Sequence, residues 1–229
     1  MFKIDYNDIT HLDLKKLLLI HGLLIIKKGN PSISNFESVA GSLGKCLVTD
    51  KHVINNTRTI QELSSNGLFS NGDVNWHNDW SYGRGNYFGT ILYNVKNAHL
   101  SPTWFCDMSK APQELKDMYK DAIGQYYPPV HLHNQCFTER QLRLLEKQKI
   151  SRPFNIKHHI TDEDLLYCSI STLRDNDLDL QPIVDWIENN SYMHKWEDND
   201  ILVWDNLKMI HKRVAFEGER LLWRTQFII

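Results

Sequence analysis

Cysteine is scarce in this chain. Cys46, Cys106, Cys136 and Cys168 are widely spaced and form no C-x-x-C pair. That spacing excludes a zinc ribbon and a disulfide framework, and it predicts free thiols in a reducing compartment. Charge of one sign is missing too. With 26 Lys and Arg against 28 Asp and Glu, the net charge is −2, so no polybasic footprint points to nucleic acid. No hydrophobic run is long enough to span a membrane. The most apolar stretch, "LLLIHGLLII" at 17–26, is half a span and is interrupted by His21 and Gly22. The opening "MFKIDYNDIT" lacks the basic-then-apolar order of a signal peptide. Neither an internal repeat nor a low-complexity linker divides the chain. These absences predict a cytoplasmic protein with no nucleic-acid or membrane partner, and they say nothing of oligomeric state.

What is present suits a folded domain. At 229 residues, 41% hydrophobic and 11% aromatic, the chain can bury a sizeable core, and residues 1–229 read as one domain. Residues 7–19 predict a helix capped by Asn7 or Thr10, and "GLLIIKKG" at 22–29 a strand between two glycines. Residues 32–45 predict a second helix, with Ser34 and Glu37 as a capping box and Gly44 near its end. β-branched and aromatic runs then dominate: "YFGTILYNV", "LLYCSIST", "DILVWDN" and "LLWRTQFII". Helical patterns at 111–126, 138–149 and 181–191 interrupt them. The order predicts an α+β, mainly β protein on a β-sandwich or jelly roll, with N-terminal helices and a helical insertion.

"VNWHNDWSYG" at 74–83 holds the first chemical signal, although a His-x-Asp triplet alone arises easily by chance. In a strand, residues i and i+2 point the same way, so His77 and Asp79 can share one metal. His211, in "WDNLKMIHKR", follows a strand that can bring it back to them. Two imidazoles and one carboxylate suit Fe(II) or Mn(II) with coordination positions left open.

In their order, "NWHNDWSY", "GTILYNV…SPTWFCDM" and "WDNLKMIHKR…ERLLWR" resemble the Fe(II)/2-oxoglutarate-dependent dioxygenases of the taurine dioxygenase-like (TauD/TfdA-like) family. "LLIHGLLIIKKG", "FESVAGSLGK" and "KHHITDEDLLYCS" extend the likeness over nearly the whole chain. The resemblance implies a double-stranded β-helix (jelly-roll) core and the cofactors Fe(II), 2-oxoglutarate and O2. It implies His77, Asp79 and His211 as iron ligands. Arg220 would pair with the distal carboxylate of 2-oxoglutarate, for which a planar fork is suited, and Thr103 would hydrogen-bond to it. Arg224 is implied in co-substrate or substrate binding, with Asp73 and Asn66 as further substrate candidates. The chain departs from the family where "AHLSPT" replaces a common Gly-Gly-Asp-x-x-Thr and where Lys212 and Arg213 follow His211. A carboxylate at 79 argues for hydroxylation or desaturation, because halogenating relatives carry a small residue there. The implied reaction oxidises a small organic substrate, free or carrier-bound and amino-acid-like or anionic, releasing succinate and CO2.

Rival readings remain beside it. His131, His133 and Glu139 can be read as a cupin-type metal set, although their spacing to Gly124 fits poorly and helix-like residues follow. A catalytically silent relative that only binds a partner is the third class. Trp76 and Trp80 read as core packing opposite the metal face, Arg84 and Arg213 as surface or structural charges, and His158-His159 as loop histidines.

Overall fold

Leu23, Leu24, Ile25 and Ile26 are all fully buried, as an unbroken apolar run requires of a strand covered on both faces. The computed structural model describes residues 1–229 apart from 50–52, 55–56, 66, 68–70, 84–87, 129–137, 148 and 175–176. Its strands in the first half are β1 (Phe2–Asp5), β2 (Leu23–Lys27), β3 (Lys45–Cys46), β4 (Gln61–Ser64), β5 (Val74–His77), β6 (Phe88–Lys96) and β7 (Thr103–Asp107). The middle of the chain gives β8 (Ile123–Tyr126), β9 (Ile150–Pro153), β10 (Asn155–Lys157), β11 (Asp164–Leu166) and β12 (Leu173–Arg174). The last four are β13 (Tyr192–His194), β14 (Ile201–Asp205), β15 (Met209–Arg213) and β16 (Leu221–Ile228). Helices are α1 (Leu14–His21), α2 (Ile33–Leu43), α3 (Gln113–Met118), α4 (Glu139–Glu146) and α5 (Gln181–Asn190).

A seven-stranded sheet runs β1-β2-β14-β6-β16-β3, with β4 also on β16, and a four-stranded sheet runs β13-β7-β15-β5. Alternation along the strands sends successive side chains to opposite faces. Leu23, Ile25, Leu92, Leu202, Trp204 and Leu222 of the large sheet therefore meet Phe105 and Met209 of the small one in a shared core. On its outer face the large sheet packs Leu24, Ile26, Ile91 and Val203 under Leu18 of α1 and Phe36 and Leu43 of α2. The small sheet packs Trp76, Cys106 and Ile210 against Ile183 and Ile187 of α5 and Leu115 of α3. The result is mixed α/β, mostly sheet, as expected. Among the described residues no helix is long and apolar enough to cross a membrane.

Several boundaries differ from the sequence reading. Residues 6–11 form a 3-10 turn, and α1 begins only after Asp13, whose carboxylate accepts from Lys16 N–H at 2.9 Å. Ser32, not Ser34, caps α2 by accepting from Asn35 N–H at 3.2 Å, while Glu37 accepts from the Thr59 hydroxyl at 2.6 Å. The helix at 111–126 stops at Met118, and Ile123 to Tyr126 pair with β9 instead. A glycine at 124 and a β-branched residue at 123 lower helix propensity there. "LLYCSIST" is strand only to Leu166, but Leu165 to Ser169 are all buried, which is why it reads as a strand.

Gly44 closes α2 against the last strand. A Cβ at that position would lie 1.9 Å from the Ile228 carbonyl oxygen, and backbone cannot yield as a flexible side chain would. Gly44→Ala should therefore cost about 1–3 kcal/mol of unfolding free energy, read from denaturant midpoints. A variant as stable as the wild type would show that α2 and β16 can separate freely.

Candidate metal centre

β5 and β15 are neighbours, and His77 pairs directly with His211 across them. The two rings lie 4.1 Å apart between centroids. His77 Nδ1 bonds the Asn75 carbonyl at 2.8 Å, which turns Nε2 toward the interior. His211 is buried against Trp204, edge-on at 4.9 Å. Burial and the neighbouring His77 push its pKa down to about 3, so the imidazole is neutral and available as a ligand at physiological pH.

Asp79 reaches the pair by a route the sequence did not suggest. β5 ends at His77, so Asp79 is not its strand neighbour two residues on; it sits in a turn. Asn206, in the turn joining β14 to β15, fixes it. The Asn206 amide accepts from Asp79 N–H at 2.8 Å and donates to the Asp79 carbonyl at 2.8 Å. Asn78, buried beside it, donates to the Asn206 carbonyl at 2.8 Å and takes Ser169 Oγ on its own N–H at 3.0 Å. The loop that leads into His211 thus also holds Asp79. Asn206→Ala leaves two part-buried backbone groups of Asp79 unpaired and should cost about 1–3 kcal/mol of stability. Thermal unfolding checks this, and an unchanged Tm would mean the turn is held elsewhere.

The two oxygens of Asp79 have different surroundings. Oδ2 accepts from the Thr90 hydroxyl at 3.1 Å and from Gln226 Nε2 at 3.0 Å. Oδ1 faces the imidazoles, 3.5 Å from His77 Nε2 and 3.8 Å from His211 Nε2. Burial alone would raise the Asp79 pKa, but the His77 hydrogen bond and the fields of His211 and Arg224 hold it well below the usual carboxylate range. One ligand atom from each of His77, Asp79 and His211 lies within 4.8 Å of the others, and no other such group occurs among the described residues.

A cavity opens beside this centre, walled by Leu63, Leu92, Trp204, Phe216 and Leu222 and carrying Thr103, Arg213, Arg220 and Arg224. Arg220 is 5% exposed, yet its Nε has no hydrogen-bond partner. Burial, with Arg213 nearby, pushes its pKa down to about 9, which leaves the guanidinium charged at neutral pH. Arg224 Nε and Nη2 both donate to Gln61 Oε1, at 3.0 and 2.7 Å. Thr103 accepts the Trp196 indole N–H at 3.0 Å.

Other expectations fare differently. Asp73 is exposed, accepts from Ala215 N–H at 2.6 Å and does not line the cavity, because its strand begins one residue later. Asn66, Arg84, His131 and His133 lie outside the described residues. Glu139 is exposed on α4 and pairs with Arg143 at 3.8 Å, a solvent-facing i,i+4 contact. Trp76 is core, as expected, but Trp80 is 49% exposed with φ +56°, since the turn breaks the alternation that would have buried it. Arg213, read as a surface or structural charge, is half-buried on the cavity wall, where it lies over Phe216 at 5.0 Å and donates to the Gly72 carbonyl. His158 is buried and bonds Asp205 at 2.8 Å, a structural tie and not a ligand. Asn206, Thr90, Gln226 and Trp196 escaped the sequence reading, although "WDN" just before His211 was a visible clue to the first.

The family model described as "Taurine catabolism dioxygenase TauD, TfdA family" matches residues 3–226. A taurine dioxygenase from Burkholderia xenovorans is similar in structure, with TM-score 0.72, 15% identity, and coverage of 98% of this chain and 81% of that one. AAD-2, solved in complex with Mn(II) and N-oxalylglycine, gives TM-score 0.68 at 16% identity, covering 93% of this chain and 85% of its own. No curated protein matches.

Proposed function

Because the chain belongs to the TauD/TfdA family of 2-oxoglutarate-dependent dioxygenases, we propose that His77, Asp79 and His211 hold Fe(II) and that the adjoining cavity takes 2-oxoglutarate. The convergence of the three ligand atoms beside a buried arginine whose Nε has no hydrogen-bond partner carries this reading. Two imidazoles and a carboxylate suit ferrous iron, and only one Asp79 oxygen is left facing the imidazoles. A buried guanidinium nitrogen without a partner calls for an anion, and a dicarboxylate supplies one. Arg220 would grip the distal carboxylate and Thr103 would donate to it. We read the two facing sheets as the double-stranded β-helix of this family.

When bound, iron and 2-oxoglutarate together supply the oxidation of a C–H bond by O2, with release of succinate and CO2. The chain's own contribution is to orient both molecules and keep water from the cavity, for which the apolar wall is suited. Arg224 would meet an anionic group on a small substrate, in competition with the neutral oxygen of Gln61. The reaction we assign is hydroxylation or desaturation, in a reducing, cytoplasmic setting supported by the free thiols of Cys46, Cys106 and Cys168.

Succinate release, measured over a panel of amino acids, sulfonates and amines with Fe(II) and 2-oxoglutarate, tests this. An acidic panel member should stimulate release. Arg224→Ala should raise the KM for that substrate by about tenfold or more and leave the KM for 2-oxoglutarate unchanged, since truncating a charged contact costs at least ~2 kcal/mol. If only the co-substrate's KM moved, the division between Arg220 and Arg224 would be wrong.

A further inference from the structure

Resting on that placement of 2-oxoglutarate, we propose that Trp196 is a positioning residue which fixes the Thr103 hydroxyl as a donor toward the co-substrate carboxylate. Trp196 is 3% exposed in the loop after β13, and its indole N–H meets Thr103 Oγ1 at 3.0 Å. An indole nitrogen can only donate, whereas a hydroxyl can donate or accept. Trp196 therefore occupies a lone pair of Thr103 and leaves the hydroxyl hydrogen for another acceptor. Among the described residues Thr103 donates to none. Thr103 and Arg220 line the same cavity, so the missing acceptor and the missing partner of the Arg220 Nε point to one ligand.

The loop that presents Trp196 is tied to the strands beside it by a chain of polar contacts. His194, paired with Thr103 across β13 and β7, packs edge-on against the indole at 5.3 Å. Its Nε2 lies 3.0 Å from Asp200 Oδ2, which also accepts from Glu197 N–H at 2.9 Å. Lys27 on β2 anchors the other Asp200 oxygen at 2.7 Å. A flexible loop would only satisfy its own indole. This one sets the direction of a hydroxyl that an unusual "AHLSPT" turn delivers to the cavity without the family's paired glycines.

The test uses Mn(II) and N-oxalylglycine, an unreactive isostere of 2-oxoglutarate, by titration calorimetry on the full chain. Trp196→Phe keeps a planar aromatic ring at the position and removes the N–H together with the five-membered half of the indole. It should weaken N-oxalylglycine binding about three- to tenfold, the value of one directed hydrogen bond, with Mn(II) affinity unchanged. Thr103→Val should produce a similar loss, and the double variant no further one, because both remove a single interaction. The proposal is overturned if Trp196→Phe binds N-oxalylglycine as the wild type does, if it loses Mn(II) affinity in parallel, or if the two losses add. Should Trp196→Phe not fold, Thr103→Val, which leaves the indole in place, still tests the shared interaction: wild-type affinity in that variant would overturn the proposal. A wild type that binds Mn(II) and N-oxalylglycine keeps the proposed function whatever the variants do. One that binds neither removes both.

Discussion

His211→Ala should leave the protein without bound iron after dialysis, with Fe(II) affinity down by at least about 100-fold. Loss of even an outer-shell contact to a metal ligand costs ten- to a hundredfold, and a ligand itself costs more. The effect is large because no substitute is near: one imidazole and one carboxylate oxygen would remain, and no further His, Cys, Asp or Glu joins the group among the described residues. The fold should survive, since the ring contributes packing against Trp204 and Phe105 and no charge. Metal analysis paired with circular dichroism separates the two effects. A folded variant with full iron occupancy would refute the triad.

Arg220→Met should act in opposite directions on two readouts. The apolar stem is kept and a buried, partly unpartnered charge is removed, so the ligand-free protein should be as stable as the wild type or more so. Binding of 2-oxoglutarate should fall by about 100-fold, because truncating one side of a buried charge pair costs ~2–5 kcal/mol and each 1.4 is a factor of ten. Arg220→Lys should not restore it, as an ammonium cannot offer the two parallel donors of the guanidinium. Iron content should be unchanged in both. A variant that loses stability and keeps 2-oxoglutarate would make Arg220 a structural residue.

Much of this was legible in the sequence. The β-branched and aromatic runs "DILVWDN" and "LLWRTQFII" read as strands and form β14 and β16, and the family resemblance implied that His77, Asp79, His211 and Arg220 would gather, as they do around one cavity. What could not be read is whatever depends on turns. The double contact of Asn206 with Asp79 joins positions far apart in the chain through amide geometry alone, and no periodicity marks it. The strand rule gave the right partners for the wrong reason, since Asp79 converges on His77 through a turn. Whether Arg213 would be a surface or a structural charge stayed open, because nothing in "HKRVAFEGER" reveals that its guanidinium would lie over Phe216. The capping errors at Asp13 and Ser32 have the same origin: several polar residues compete to start each helix, and tertiary packing chooses among them.

A crystal structure of the protein grown with Mn(II) and N-oxalylglycine would examine the site most directly. The expected result is one metal about 2 Å from His77 Nε2, His211 Nε2 and Asp79 Oδ1, with the ligand's far carboxylate on Arg220 and Thr103. A metal bound at any other set of side chains, or that carboxylate seated on Arg224 with Arg220 turned away, would contradict the account.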